Sequence, residues 1–440
     1  MVIFIIVFIL IMVNCRMNKT VAYLKNLYKD NDDFVVRVVK KGENSAFYLM
    51  YFESLCESTL INEYIIKNID EHILFDKIIK DVREIISGPK IKDVKSKQEV
   101  SYYLENGFCV ILYNKDLIAV ETRASIDRGI TMSQTEPTMY GSKDAFCENY
   151  QKNLGIIKRR IKSDRLMTKS IDAGSLTKTK ISILYLDNLV DKTALNNIIG
   201  AVEKLKGEDI TDSYDVAKKL RLNKIFPTIL KTEKPGIASR YILDGYVVIL
   251  IDNTPFLLIL DAKLKDFVNP FTTDQFVKIL RFACLFLTIL TPAIYIALIN
   301  FNQEAIPISL LVNFTEQRDT VPFPAVIEAL IMLGICEVLR EADIKYPNSY
   351  GSAASILGAL VLGEAAVSAG IVSAIMIIIV AITFITNLIF TEIKLVWAIR
   401  IMRISFLLIA SFLGLYGVSI GLVICITYLA SVKMYGGEYL

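Results

Sequence analysis

The 440-residue chain has one histidine, His72, and one tryptophan, Trp397. A single histidine excludes a multi-histidine metal site. Its place in the polar front half also excludes a Ser-His-Asp triad in the apolar back half. No two of the seven cysteines stand in a CxxC spacing, so they read as reduced packing residues rather than a disulfide framework. No phosphate loop is present, because neither Gly200 nor Gly207 is followed by Gly-Lys-Ser/Thr, and there is no dinucleotide fingerprint. An excess of one charge is missing too: 49 basic residues face 46 acidic ones, a net charge of +3. That balance argues against a nucleic-acid partner. No catalytic residue, cofactor or metal site is expected.

What the chain has in quantity is apolar surface. Hydrophobic residues make up 53% and the mean hydropathy is +0.46, which points to membrane spans. The 165 residues after position 275 hold nine basic and ten acidic residues, against 40 and 36 in the first 275. A polar front therefore precedes an apolar back. Residues 1–16 carry an unbroken apolar run, Val2 to Val13, without the basic start of a signal peptide. They read either as a short anchor or as sequence upstream of a true start at Met17.

The front half predicts an α+β domain of two small α/β lobes, at 17–170 and 171–271. Lys19–Tyr28 and Glu63–Ile86 have helical apolar spacing. Phe108–Tyr113 with Leu117–Val120, and Tyr246–Ile251 with Pro255–Leu260, read as hairpins, and Lys180–Leu186 as a buried strand leading into a helix. Lys158, Arg159 and Arg160 cluster on one predicted helix. They suit either a solvated basic face or contact with anionic lipid headgroups or an acidic partner.

Residues 272–440 predict an all-α polytopic membrane domain of about five spans. Phe282–Ile299, Ile371–Phe390 and Ile404–Leu429 are the clear ones. Val321–Leu339 carries Glu328 and Glu337 and reads as crossing, re-entrant or lying in the interface. Those two acids are nine residues apart and point to different faces. In Ser352–Ala369, small residues recur at four-residue steps: Gly351, Ser355, Ala359 and Gly363. Such a stripe lets helix backbones approach closely. Glu364 follows it, and an ionisable group within a span faces protein or water rather than lipid. An interhelical hydrogen bond, a pore lining and a position at the interface are the open readings for it. Basic flanks at Lys278/Arg281 and Lys394/Arg400/Arg403 put the front half in the cytoplasm. With five spans the C-terminus falls outside.

Several motifs, in order, resemble one family. Val321–Glu328 (VPFPAVIE), Leu339–Ala342 (LREA), Gly363–Val367 (GEAAV) and Ala369–Ser373 (AGIVS) carry the likeness in the back half. Thr135–Pro137 (TEP), Asn153-Leu154 with Lys158–Arg160, and Thr232–Pro235 (TEKP) carry it in the front. Together they are similar to the GerA family of spore germinant receptor A subunits. The resemblance implies a protein of the spore inner membrane with a cytoplasmic front domain. It implies a transporter-like B subunit and a lipoprotein C subunit as partners, contact with membrane lipid, and a homo-oligomer that conducts cations. On that reading Glu364, Glu328 and Glu337, with the small stripe, become the candidate pore and gating residues. A stand-alone secondary transporter of ions or small solutes is the alternative. It predicts repeated hydropathy halves, and none is visible.

Overall fold

The computed structural model describes residues 20–41, 45–74, 82–113, 116–124, 142–269, 275–345, 363–390 and 392–440. The N-terminal extension 1–16, the Thr135–Pro137 motif, and Gly351, Ser355 and Ala359 lie outside them. Contacts divide the chain into two compact units. One runs up to Arg221 and adds Ile229–Asp261 and Tyr435–Gly437. The other comprises Leu222–Thr228, Ala262–Met434 and Glu438–Leu440.

The first unit contains two five-stranded sheets. After helix α1 (20–27), the first sheet has strands β1 (Phe34–Lys41), β2 (Ser45–Phe52), β3 (Ile91–Asp93), β4 (Phe108–Tyr113) and β5 (Asp116–Glu121). Their order is β1-β2-β4-β5-β3 and every pair is antiparallel. Helices α2 (Ser58–Ile61) and α3 (Lys67–Leu74) are joined by a π turn, Asn62–Ile66. Ile61, Ile65 and Ile69 pack on Phe47, Leu49, Ile111 and Val120. Helix α4 (Lys97–Glu105) packs on β2 and β4. All six residues of β4 are buried, which accounts for its unbroken apolar run.

The second sheet has β6 (Leu166–Ala173), β7 (Thr179–Leu186), β8 (Ile229–Thr232), β9 (Val248–Ile251) and β10 (Leu257–Leu260), in the order β6-β7-β9-β10-β8, again antiparallel. Helices α6 (Lys192–Glu203) and α7 (Ser213–Leu220) supply Leu195, Ile198, Val202, Val216 and Leu220 to a core with Ile181, Ile183, Ile249 and Leu258. Helices α5 (Tyr150–Arg160) and α8 (Pro235–Leu243) also pack on this sheet. Side-chain caps start two of these helices: Asn149 accepts from the Lys152 N–H at 3.0 Å, and Asp191 from that of Thr193 at 2.8 Å. Each satisfies a backbone donor that the first turn leaves unpaired. The short α9 (Leu264–Val268) follows β10.

The second unit is helical. It holds α10 (Gln275–Asn300), α11 (Ile308–Arg318), α12 (Ala325–Lys345), α13 (363–368), α14 (Ala374–Asn387) and α15 (Ile393–Ala430). Among the described residues, α10 and α15 are long and apolar enough to cross a membrane. Thr288 of α10 meets Thr386 of α14 through a 2.8 Å hydroxyl hydrogen bond.

The last span differs from the expectation. As one straight helix, the 38 residues of α15 would measure about 57 Å, nearly twice a hydrocarbon core of about 30 Å. The helix is broken instead at Gly414, where φ is +61°. Gly417 then packs on Ile409, and Gly421 on Phe406. These contacts step outward in pairs from Gly414, so the two arms run antiparallel as a hairpin. A Cβ at Gly414 would come within 2.8 Å of the Phe301 Cβ, so glycine is required by both backbone angle and space. The segment expected as a single span, Ile404–Leu429, is therefore a helical hairpin. Its first arm starts at Ile393, which puts Lys394, Arg400 and Arg403 inside the helix.

Candidate functional site

Pro322 and Pro324 precede α12, and Glu328 lies in its first turn. The Glu328 carboxylate is fully buried. Its Oε2 accepts both the backbone N–H of Ser373, at 3.0 Å, and the Ser373 hydroxyl, at 2.9 Å. Ser373 is the N-cap of α14, so the carboxylate meets the positive end of that helix. Arg318, at the end of α11, puts its Nε 3.7 Å from Oε1. One acid thus ties three helices together.

Glu337 ties a different one. Its Oε1 accepts from Arg403 at 2.9 Å, and its Oε2 pairs with Arg400. Arg403 is buried, whereas Glu337 and Arg400 are partly exposed. Arg400 also stacks over Trp397, 4.5 Å from the ring centroid, and Trp397 is exposed. The nine-residue spacing of the two acids aims them at different neighbours. Glu328 reaches α11 and α14, and Glu337 reaches α15.

Glu364 behaves otherwise. It is exposed in α13, and no described residue pairs with it. Its neighbour Gly363 is buried, and a Cβ there would sit 3.7 Å from the Ile377 Cδ1, an ordinary contact. Alanine fits at that position.

The basic cluster of the front unit comes apart. Lys158 is buried with its ammonium 2.5 Å from Asp33 Oδ2. It is also 3.9 Å from the Phe52 ring centroid. Asp33 further accepts from the Ser54 N–H at 3.0 Å and the Ser54 hydroxyl at 2.6 Å. Burial lowers the Lys158 pKa, and Asp33 opposes the shift. Lys158 is therefore no lipid contact. It lies four residues after Leu154 and one after Ile157, on the inward face of α5, and helical periodicity alone would have found it. Arg160 pairs with Asp144 at 2.5 Å and with Ser142 at 3.2 Å. Burial raises the Asp144 pKa, but these hydrogen bonds outweigh it and hold the carboxyl below its usual range. Arg159 is exposed. Nearby, burial and Asp164 raise Glu105 to about 7, against the pull of Lys158 and Lys162.

A family model described as "Bacillus/Clostridium GerA spore germination protein" matches residues 22–440. The chain belongs to the GerA spore germination protein family. Spore germination protein KA of Bacillus subtilis (strain 168) is 31% identical, over 98% of this chain and 82% of that protein. Spore germination protein A1 of the same organism is 29% identical over 93% and 87%. GerQA of Bacillus cereus is 27% identical over 91% and 82%. Among solved structures, the N-terminal domain of the A subunit of the Bacillus megaterium spore germinant receptor GerK3 aligns with a TM-score of 0.41 and 22% identity, over 55% of this chain and 93% of that one. The acids described above lie within the stretch matched by the GerA model. Among the described residues no group of acids, histidines and cysteines could hold a metal ion.

Proposed function

We propose that this GerA-family chain is the A subunit of a nutrient-germinant receptor in the spore inner membrane. Its helical unit oligomerises into a cation path gated by nutrient binding on a transporter-like B subunit, with a lipoprotein C subunit in the complex. The two sheets face the cytoplasm. The observation that carries the channel reading is the contrast among the three acids. Glu328 and Glu337 are consumed by partners within the chain, whereas Glu364 is exposed beside a small residue in an apolar helical unit. A charge so placed needs water or protein in front of it, and a ring of copies around an aqueous axis supplies both. A carboxylate at that axis favours positive ions.

The test is Glu364→Gln in spores, with nutrient-triggered cation release as the readout and a non-nutrient trigger as control. Loss or altered selectivity of the nutrient-triggered release supports the pore. Normal release with normal selectivity removes Glu364 from the ion path.

A further inference from the structure

A small cavity in the helical unit lies where α12, α14 and α15 meet. Glu337 and Arg340 of α12, Asn387 of α14 and Arg403 of α15 line it, with Leu333 and Val380 in its apolar wall. It has about 10 Å³ of free volume, the room of one water-sized particle. Its polar lining is not satisfied from within the chain. Arg340 Nη1, Arg403 Nε and Asn387 Oδ1 are buried atoms without a hydrogen-bond partner. Arg403 and Asn387 are each only 3% exposed. Buried polar atoms of this kind cost free energy unless something completes their bonds.

Charge decides what that something is. The Glu337 carboxylate is taken by Arg400 and Arg403. Arg340 adds a third guanidinium, and the charges acting on it are those of Glu337 and Arg400. Three guanidinia thus share one carboxylate, which leaves positive charge over. Arginine stays charged in a protein, so the excess is not relieved by losing a proton. A buried charge needs a counter-charge. A water molecule would fill the donors but bring no charge, and a cation would be repelled. A phosphate or a lipid headgroup, with its shell of oxygens, exceeds the room in the cavity. Asn387 adapts to an anion by a half-turn of its amide, which puts the NH2 where the oxygen stood.

We infer that this cavity is a binding site for one monatomic anion of chloride size, held by Arg340, Arg403 and Asn387. The anion neutralises guanidinia that Glu337 leaves over, and so locks α12, α14 and α15 together. The site is separate from Glu364 and does not rest on the channel reading.

Trp397, the only tryptophan of the chain, stacks over Arg400, so its emission reports unfolding of the helical unit. In the purified full chain in detergent, chloride is exchanged for gluconate at constant ionic strength. The Tm read from Trp397 should rise with chloride by about 3 °C or more and level off, as binding to the folded state alone requires. Bromide should act alike, whereas phosphate and added anionic phospholipid should not. Arg340→Met and Asn387→Leu should each lose the chloride-dependent rise. Glu337→Gln should start from a lower Tm in gluconate and gain more from chloride, because the competing carboxylate is gone. A merely structural loss would not enlarge that gain. In the parent protein alone, the same Tm in chloride and gluconate, a rise that never levels off, or a rise with phosphate or lipid in place of chloride overturns the inference. A saturable rise that persists in both Arg340→Met and Asn387→Leu puts the anion elsewhere and overturns it too.

Discussion

The two units bury charge in different ways. In the sheet unit, Asp33 receives Lys158 and both donors of Ser54, and its ion pair is sealed from water. In the helical unit, Glu337 faces two guanidinia and keeps partial access to solvent. Nε of Arg400 and of Arg403 has no hydrogen-bond partner. The first arrangement is saturated and fixes one geometry. The second holds helices together while leaving donors over, so it can rearrange at lower cost. Buried ion pairs are weak evidence for net stability, but breaking one side is expensive.

Stability measurements can sharpen or erase this contrast. Lys158→Met strands Asp33 in the sheet unit, and should cost about 3–5 kcal/mol in urea unfolding of the purified chain. Glu337→Gln should cost less, about 1–3 kcal/mol, because Arg400 can turn to water. Equal losses would mean that the two sites are buried alike. Glu328→Gln keeps one acceptor for Ser373, and should cost about 1–2 kcal/mol in the same assay. Glu364→Gln should lie within about 0.5 kcal/mol of the parent, with its effect confined to cation release.

A pH effect in the sheet unit is expected to be small. Glu105 has its pKa raised from 4.5 to about 7. A carboxyl whose folded pKa is raised favours the folded state when protonated. Its contribution is complete below about 4.5 and is lost as pH rises through about 7. Thermal stability between those values should therefore fall with pH, and Glu105→Gln should flatten that slope. A steeper slope in the variant would contradict the assignment. The group is half-buried rather than sealed, so solvent screening tempers the effect.

Much of the fold was legible where a pattern is local. Phe108–Tyr113, Lys180–Leu186 and the hairpin strands near 250 and 258 are short apolar runs flanked by turn residues, and all are strands. Strands β1 and β2 carry no such signal. Val35 to Val38 of β1 stay partly or fully exposed and Arg37 interrupts them, so no clean alternation marks the pair. Of the expected Glu63–Ile86 helix, the described residues form a π turn at Asn62–Ile66, α3 to Leu74 and a 3₁₀ turn at Val82–Glu84, and 75–81 lie outside them. Of the candidate site, the acids and the family motifs could be read directly, but their partners could not. Nothing local to Glu337 indicates Arg403, 66 residues away.

The sequence by itself determined the polar front, the apolar back, the mainly apolar strands and the family membership. These depend on composition, short-range periodicity and ordered motifs, which need no knowledge of distant neighbours. Only the tertiary structure decided which charges are spent, that Gly414 folds one long apolar run into a hairpin, and that Arg340, Arg400 and Arg403 meet at a single carboxylate. Each of these depends on atoms brought together across dozens to hundreds of residues. Whether a buried charge is paired, or a glycine is crowded, is a property of that encounter and not of the residue.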